Sequence, residues 1–318
     1  MNLACAFVVW AACCLVVALY GTSLGYGGRQ FASALFVFML FLAGEVFLAA
    51  ERVRNALLGA LAGRAAWVAP LVTLAGYAVY AAAAGLGRWK LVALGALYAL
   101  APAILAGLAR NATPGRWQDY AAVLAIWLPV ELRWMYKVWP VPRELTHTLT
   151  ILFALNTGLA AFLIARRLDG IGYSVEWRSG FTANVVLHFL VFGAIAIPLG
   201  EAMGFLHFGP PLARVRSLPL DALGILLFTA WPEEFLFRGL IQNLLSRTLK
   251  SPMTGWVVAS VIFGLSHINN GPFPNWRYVF LATIAGLFYG RVWMKTGTIF
   301  TSGLVHGAVD ITWHSLFS

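Results

Sequence analysis

The chain has 318 residues, 61% of them hydrophobic and only 11% charged, whereas soluble domains carry about a quarter charged residues, so a soluble globular protein is excluded. The formal charge of +10, from 22 Lys and Arg against 12 Asp and Glu, sits mostly in short segments between apolar runs, such as Arg52, Arg54 and Arg64, or Arg166 and Arg167. That is the pattern of membrane flanks facing anionic headgroups, and it argues against nucleic acid as a partner.

Spanning helices need about 20 apolar residues. In chain order the candidate spans are residues 3–20, 31–50, 65–85, 91–109, 147–164, 182–205, 218–245, 254–268, 278–294 and 298–317. Residues 120–130 are apolar but run into Glu131, Arg133 and Lys137, which makes them a short or interfacial segment. No run alternates with period two, so a β-barrel is excluded. The expected fold is an all-α polytopic transmembrane helix bundle of about eight to eleven spans. Cys5, Cys13 and Cys14 cluster in the first run and form no disulfide framework. That run has no basic leader or cleavage site and is expected to be retained. Glu45 and Glu201 fall within or near spans and are expected to pair with an arginine or to lie at helix ends.

Residues 206–219 are the most polar joint, with two adjacent prolines, Arg214 and Arg216. They divide an N-terminal helical block, 1–215, to which no role is assigned, from a C-terminal block, 216–318, whose four helices are expected to hold the catalytic core. In that block Glu233 and Glu234 are adjacent inside an apolar helix. Carboxylates in hydrocarbon cost several kcal/mol each unless paired or hydrated. Arg238 lies one turn past Glu234, on the same face, and can pair with it. Glu233 points about 100° away and has no partner on its own helix. Pro232 removes a backbone donor and opens the helix beside the glutamates. The next span carries Phe263 and His267, and the last carries His306 and Asp310, four apart on one face. Gly264, Gly286, Gly290, Gly303 and Gly307 would let these helices approach closely. Taken singly, Glu234–Arg238 reads as a structural ion pair, His267 as a polar helix contact and His306–Asp310 as a tautomer-fixing pair. Facing helices of a bundle can gather all of them into one buried site.

At these residues the sequence resembles the CPBP family of intramembrane proteases, the CAAX proteases and bacteriocin-processing enzymes whose eukaryotic relative is the Ras-converting CAAX endopeptidase. The family pattern is Glu-Glu-x-x-x-Arg, Phe-x-x-x-His and His-x-x-x-Asn. This chain supplies Glu233-Glu234-x-x-x-Arg238, Phe263-x-x-x-His267 and His306-x-x-x-Asp310, in that order. The segment from Gly286 to Gly290 and on to Gly297 is similar to the family's helix between the histidine motifs. Asp310 departs from the usual Asn, and an ionised Asp accepts but cannot donate a hydrogen bond. The resemblance implies peptide-bond hydrolysis in the membrane. Glu233 and His267 would activate a water, His306 with Asp310 would stabilise the oxyanion, and Glu234, Arg238 and Phe263 would hold the geometry. It implies a peptide or protein substrate in or at the bilayer, and the bacterial inner membrane as the location. A glutamate mechanism without a cofactor is expected. The metal-dependent alternative would bind zinc through Glu233, His267 and His306. The alternative function is a non-enzymatic membrane protein of the same fold, either an immunity-type binding protein or a proton-coupled transporter. A transporter would be expected to show an internal repeat, and none is visible.

Overall fold

The computed structural model describes residues 2–61, 63–210 and 217–317. The described residues are helical and include no β-strand, as expected from the sequence. Among the described residues, six helical segments are long and apolar enough to cross a membrane: Leu3–Ser23, Gly28–Ala49, Ala65–Ala83, Trp89–Leu108, Arg143–Ala165 and Phe181–Ala202. Large apolar side chains such as Phe7, Leu97, Leu190 and Phe280 point outward, which suits a surface solvated by lipid. The protein is an integral membrane protein.

The chain forms two compact units, Met1–Asp169 with Ser174–Glu176, and Gly170–Tyr173 with Trp177–Ser318. The block boundary expected at 215/216, with Arg214 and Arg216, lies outside the described residues.

The first unit contains α1 (Leu3–Ser23), α2 (Gly28–Ala49), α3 (Glu51–Ala60), α4 (Ala65–Ala83), α5 (Trp89–Leu108), α6 (Trp117–Glu131) and α7 (Thr146–Gly158), which continues in wide π turns over Leu159–Ala165. Its centre is aromatic. Trp139 packs against Tyr77, Tyr80, Phe41 and Phe153 at ring-centroid distances of 4.7 to 6.2 Å. The phenols at this centre are satisfied by backbone carbonyls, Tyr80 by Val141 at 2.6 Å and Tyr98 by Ile126 at 2.8 Å. That satisfaction is what lets a tyrosine lie fully inside. Asp119 and Arg166 form a buried pair at 2.7 Å. The guanidinium also donates to the carbonyls of Arg110 and Ala112, and the carboxylate accepts from the backbone of Gly115 and Arg116. Both charges are therefore compensated, as burial requires. Glu45 lies mid-helix in α2 and is buried. Cys5, Cys13 and Cys14 are free thiols.

The second unit contains α8 (Phe181–Ala202), the long helix α9 spanning residues 218–248, α10 (Pro252–Leu265), α11 (Trp276–Thr296) and α12 (Ile299–Leu316). Its helix ends are written in the sequence. Ser251 caps the Thr254 amide, with Pro252 at the first helical position. Asn275 caps the Tyr278 amide and Thr298 the Phe300 amide. Gly297 closes α11 in the left-handed conformation, φ 73°, the usual place for a glycine that ends a helix. Close approach of α10 and α11 depends on two glycines. A Cβ on Gly286 would stand 3.0 Å from the Ser260 Cα, and one on Gly264 would stand 2.6 Å from the Val279 carbonyl.

Candidate active site

α9 is not a uniform α-helix. It runs as α over Leu218–Ile225, as π over Leu226–Ala230, as α over Trp231–Glu234, as π over Phe235–Gln242, and as α again over Asn243–Thr248. Pro232 accounts for the first change. It offers no N–H to the carbonyl four residues back, and its ring crowds that carbonyl. A wider turn with i→i+5 bonding relieves the conflict. The opening expected beside the glutamates is thus a pair of π segments that flank the single α turn carrying Glu233 and Glu234.

Glu234 is completely buried and bridges two basic side chains. Its Oε1 lies 3.0 Å from His306 Nδ1 and its Oε2 lies 3.1 Å from Arg238 Nε. The contact to Arg238 is at ion-pair distance, but no guanidinium N–H meets hydrogen-bond geometry with an acceptor among the described residues. The charge of Arg238 is instead met by Coulomb attraction and by ring faces. Its Cζ stands 4.6 Å from the Phe263 ring, 5.6 Å from Tyr289 and 6.0 Å from Phe237, within the range of cation–π attraction.

His306 is the centre of the cluster. A carboxylate accepts, so Nδ1–H donates to Glu234. Nε2 then faces Asp310 Oδ2 at 3.5 Å and Glu233 Oε2 at 3.9 Å. Three carboxylates, from two helices, surround one imidazole. The side chain of Glu233 is 34% exposed and that of Asp310 is 20% exposed, against 0% for Glu234. The sequence spacing of His306 and Asp310 suggested that they pair; the shortest contact of the imidazole is with Glu234, 72 residues earlier.

His267 lies just beyond the end of α10. Its Nδ1 is 2.8 Å from the carbonyl of Phe263. A carbonyl can only accept, so this nitrogen carries the proton, and neutral His267 presents the lone pair of Nε2. Phe263 therefore acts through its backbone on His267, while its ring touches His267 at 4.8 Å, His306 at 5.6 Å and Arg238. His267 makes no hydrogen bond or ion pair with Glu233 or Glu234 among the described residues. It meets His306 through the Phe263 ring, and it shares a cavity with His306 and Asp310 that Glu233 and Glu234 do not line. That cavity, of about 470 Å³, is walled by α8, α10, α11 and α12; His267, His306 and Asp310 line it, opposite apolar residues of α8 such as Phe192 and Ile197. Two further lining residues, Tyr278 and Tyr289 of α11, lie against the histidines: Tyr278 stands 4.7 Å from His267, and Tyr289 stands 4.5 Å from His306. Neither tyrosine is among the site residues expected from the sequence. The signal was the spacing of eleven between the tyrosines, three turns, which puts them on one face.

Among the described residues no three His, Cys, Asp or Glu side chains are arranged to hold a metal ion. The Nδ1 atoms of both histidines are committed to Glu234 and to the Phe263 carbonyl. That leaves Nε2 as the nitrogen each imidazole can turn to a further partner.

Residues 215–312 match the family model described as Rce1-like, type II CAAX prenyl endopeptidase. No curated protein and no solved structure matches the chain. The matched stretch, about a third of the chain, holds every motif residue described above and in the family's order, so this part of the chain is similar to the type II CAAX prenyl endopeptidases.

Proposed function

We propose that the protein is an intramembrane endopeptidase of the bacterial inner membrane, hydrolysing a peptide bond of a membrane-associated substrate by a glutamate mechanism. The observation that carries this reading is the gathering of Glu233, Glu234 and Asp310 around His306, joined to the buried Arg238. Packing gives no reason to bury so many charges beside a cavity.

Glu233, the most exposed of the three carboxylates, takes a proton from a water molecule as its oxygen attacks the scissile carbonyl carbon. His267 accepts a hydrogen bond from that water at Nε2, the nitrogen left open by the Phe263 carbonyl. Protonated His306, held by Glu234 and Asp310, donates Nε2–H to the oxyanion in a site of low dielectric. As the C–N bond breaks, Glu233 passes its proton to the leaving amine. Asp310 acts on His306 and needs no donor of its own, which reconciles it with the family's usual Asn.

The test uses purified protein in proteoliposomes with a membrane-anchored peptide, a prenylated C-terminal peptide being the first choice on the family's description. Wild-type protein should cleave it. Glu233→Gln should lose at least about a hundredfold in kcat, the lower range for removing a general base. Its melting temperature should stay close to wild type, because its side chain is partly exposed. Full activity in Glu233→Gln would refute the assignment.

A further inference from the structure

The hydrogen bonds of His306 leave one degree of freedom open. Nδ1 is fixed by Glu234, but the ring can still turn about that contact, since Asp310 and Glu233 stand 3.5 and 3.9 Å from Nε2, beyond firm hydrogen-bond length. What remains is the packing on the two faces of the imidazole. Phe263 meets it edge-on, at an interplanar angle of 89°. Tyr289 lies flat on it, at 17° and 4.5 Å. Tyr289 is itself only 1% exposed. It is held in turn by Phe263 at 6.0 Å, by Phe192 at 6.2 Å and by the Arg238 guanidinium at 5.6 Å. A ring fixed on three sides can fix a fourth.

We infer that Tyr289 is the positioning residue for His306: its ring face sets the plane of the imidazole, and so the direction in which Nε2 points towards the reacting carbonyl. This rests on the peptidase reading given above. The flat stack also suits the charge His306 carries in that mechanism, since an aromatic face attracts a cation. The groups that face His306 are Glu233 and Glu234 with Arg238 from α9, Phe263 and His267 from the end of α10, Tyr289 from α11 and Asp310 from its own helix. Tyr289 alone among them contacts the ring as a parallel plate, so the ring and not the hydroxyl carries the effect.

The experiment compares Tyr289→Phe with Tyr289→Leu in the full-length protein, by kinetics and by the NMR signal of His306 Cε1–H in histidine-labelled protein, assigned with His306→Gln. Tyr289→Phe should hold kcat within about threefold of wild type. Tyr289→Leu should lose about ten- to a hundredfold in kcat with KM little changed, the scale of a misplaced catalytic group. The aromatic plate shifts the His306 signal upfield in wild type and Tyr289→Phe, and that shift should vanish in Tyr289→Leu. Should the leucine variant fail to fold, Tyr289→Met takes its place. An unmoved signal in the aliphatic variant, kcat within threefold of wild type there, or equal loss in Tyr289→Phe would each overturn the inference. If wild-type protein cleaves nothing, the peptidase reading fails by itself, and the NMR comparison still decides whether Tyr289 sets the imidazole.

Discussion

Replacing Arg238 by methionine removes the guanidinium from the cluster while keeping a chain of similar length. Both Arg238 and Glu234 are wholly buried, so the substitution strands a carboxylate whose remaining partner is His306. Breaking a buried pair by deleting one member costs about 3–5 kcal/mol. Cation–π attraction to Phe263, at 4.6 Å, is worth about 0.5–2 kcal/mol, but a methionine sulfur against the same rings returns about 0.3–1.5 kcal/mol. The ion-pair loss therefore decides the sign and size. At about 2–4 °C per kcal/mol for chains of 150–250 residues, a loss of about 3 kcal/mol lowers the melting temperature by roughly 6–12 °C. The chain has 13 tryptophans, so heating in detergent while following intrinsic fluorescence reads this directly. The companion measurement is Arg238→Met combined with Glu234→Gln. Glutamine keeps an oxygen to accept from His306 Nδ1 but carries no stranded charge, so the double variant should recover at least about 1 kcal/mol over the single one, a coupling of ordinary size for neighbours. A melting temperature for Arg238→Met within 2 °C of wild type, by the scale just used, would refute the reasoning. So would a double variant less stable than the single one.

Asp310→Asn should remain active and lose one titrating limb of its pH–rate profile, because Asp310 serves His306 from 3.5 Å and asparagine keeps an acceptor oxygen there; loss of turnover at every pH would give Asp310 a direct role instead. Chelation with 1,10-phenanthroline should leave activity unchanged, and loss that is restored by added zinc would replace the glutamate mechanism with a metal-dependent one. Gly286→Val should destabilise the second unit more than Gly224→Val. Space explains the difference: a Cβ at 286 meets the Ser260 backbone at 3.0 Å, whereas nothing lies within 4 Å of one at 224. Equal melting temperatures for the two would show that α10 and α11 can part without cost.

The motif residues were legible because their relations are local. Glu234 with Arg238, and His306 with Asp310, are one turn apart, and the periodicity of a helix brings each pair together whatever the tertiary fold. Pro232 likewise announced a break. The convergence on His306 was not legible in that way, since it depends on how α9 and α12 face each other. The wide turns of α9 also shift the angular position of every later residue, so a plain 100° count misplaces side chains beyond Ala230. Tyr289 was overlooked because an aromatic residue in an apolar span looks like packing, and only a neighbour's ring plane distinguishes a plate from a filler. The Asp119–Arg166 pair, 47 residues apart, shows the same limit in the first unit: each charge was visible, but not its partner.

The short non-helical stretch Gly170–Tyr173 has a practical consequence for dissecting the molecule. The Gly172 carbonyl accepts from the Ile299 amide at 3.0 Å, and the Ile171 carbonyl accepts from the Trp293 indole at 3.2 Å. Tyr173 stacks on Trp231, two residues before Glu233. A fragment beginning at residue 215, where the family match starts, would omit this brace together with α8 and its wall of the cavity. The compact unit that holds the site, Gly170–Tyr173 with Trp177–Ser318, is thus larger than the stretch matched by the family model.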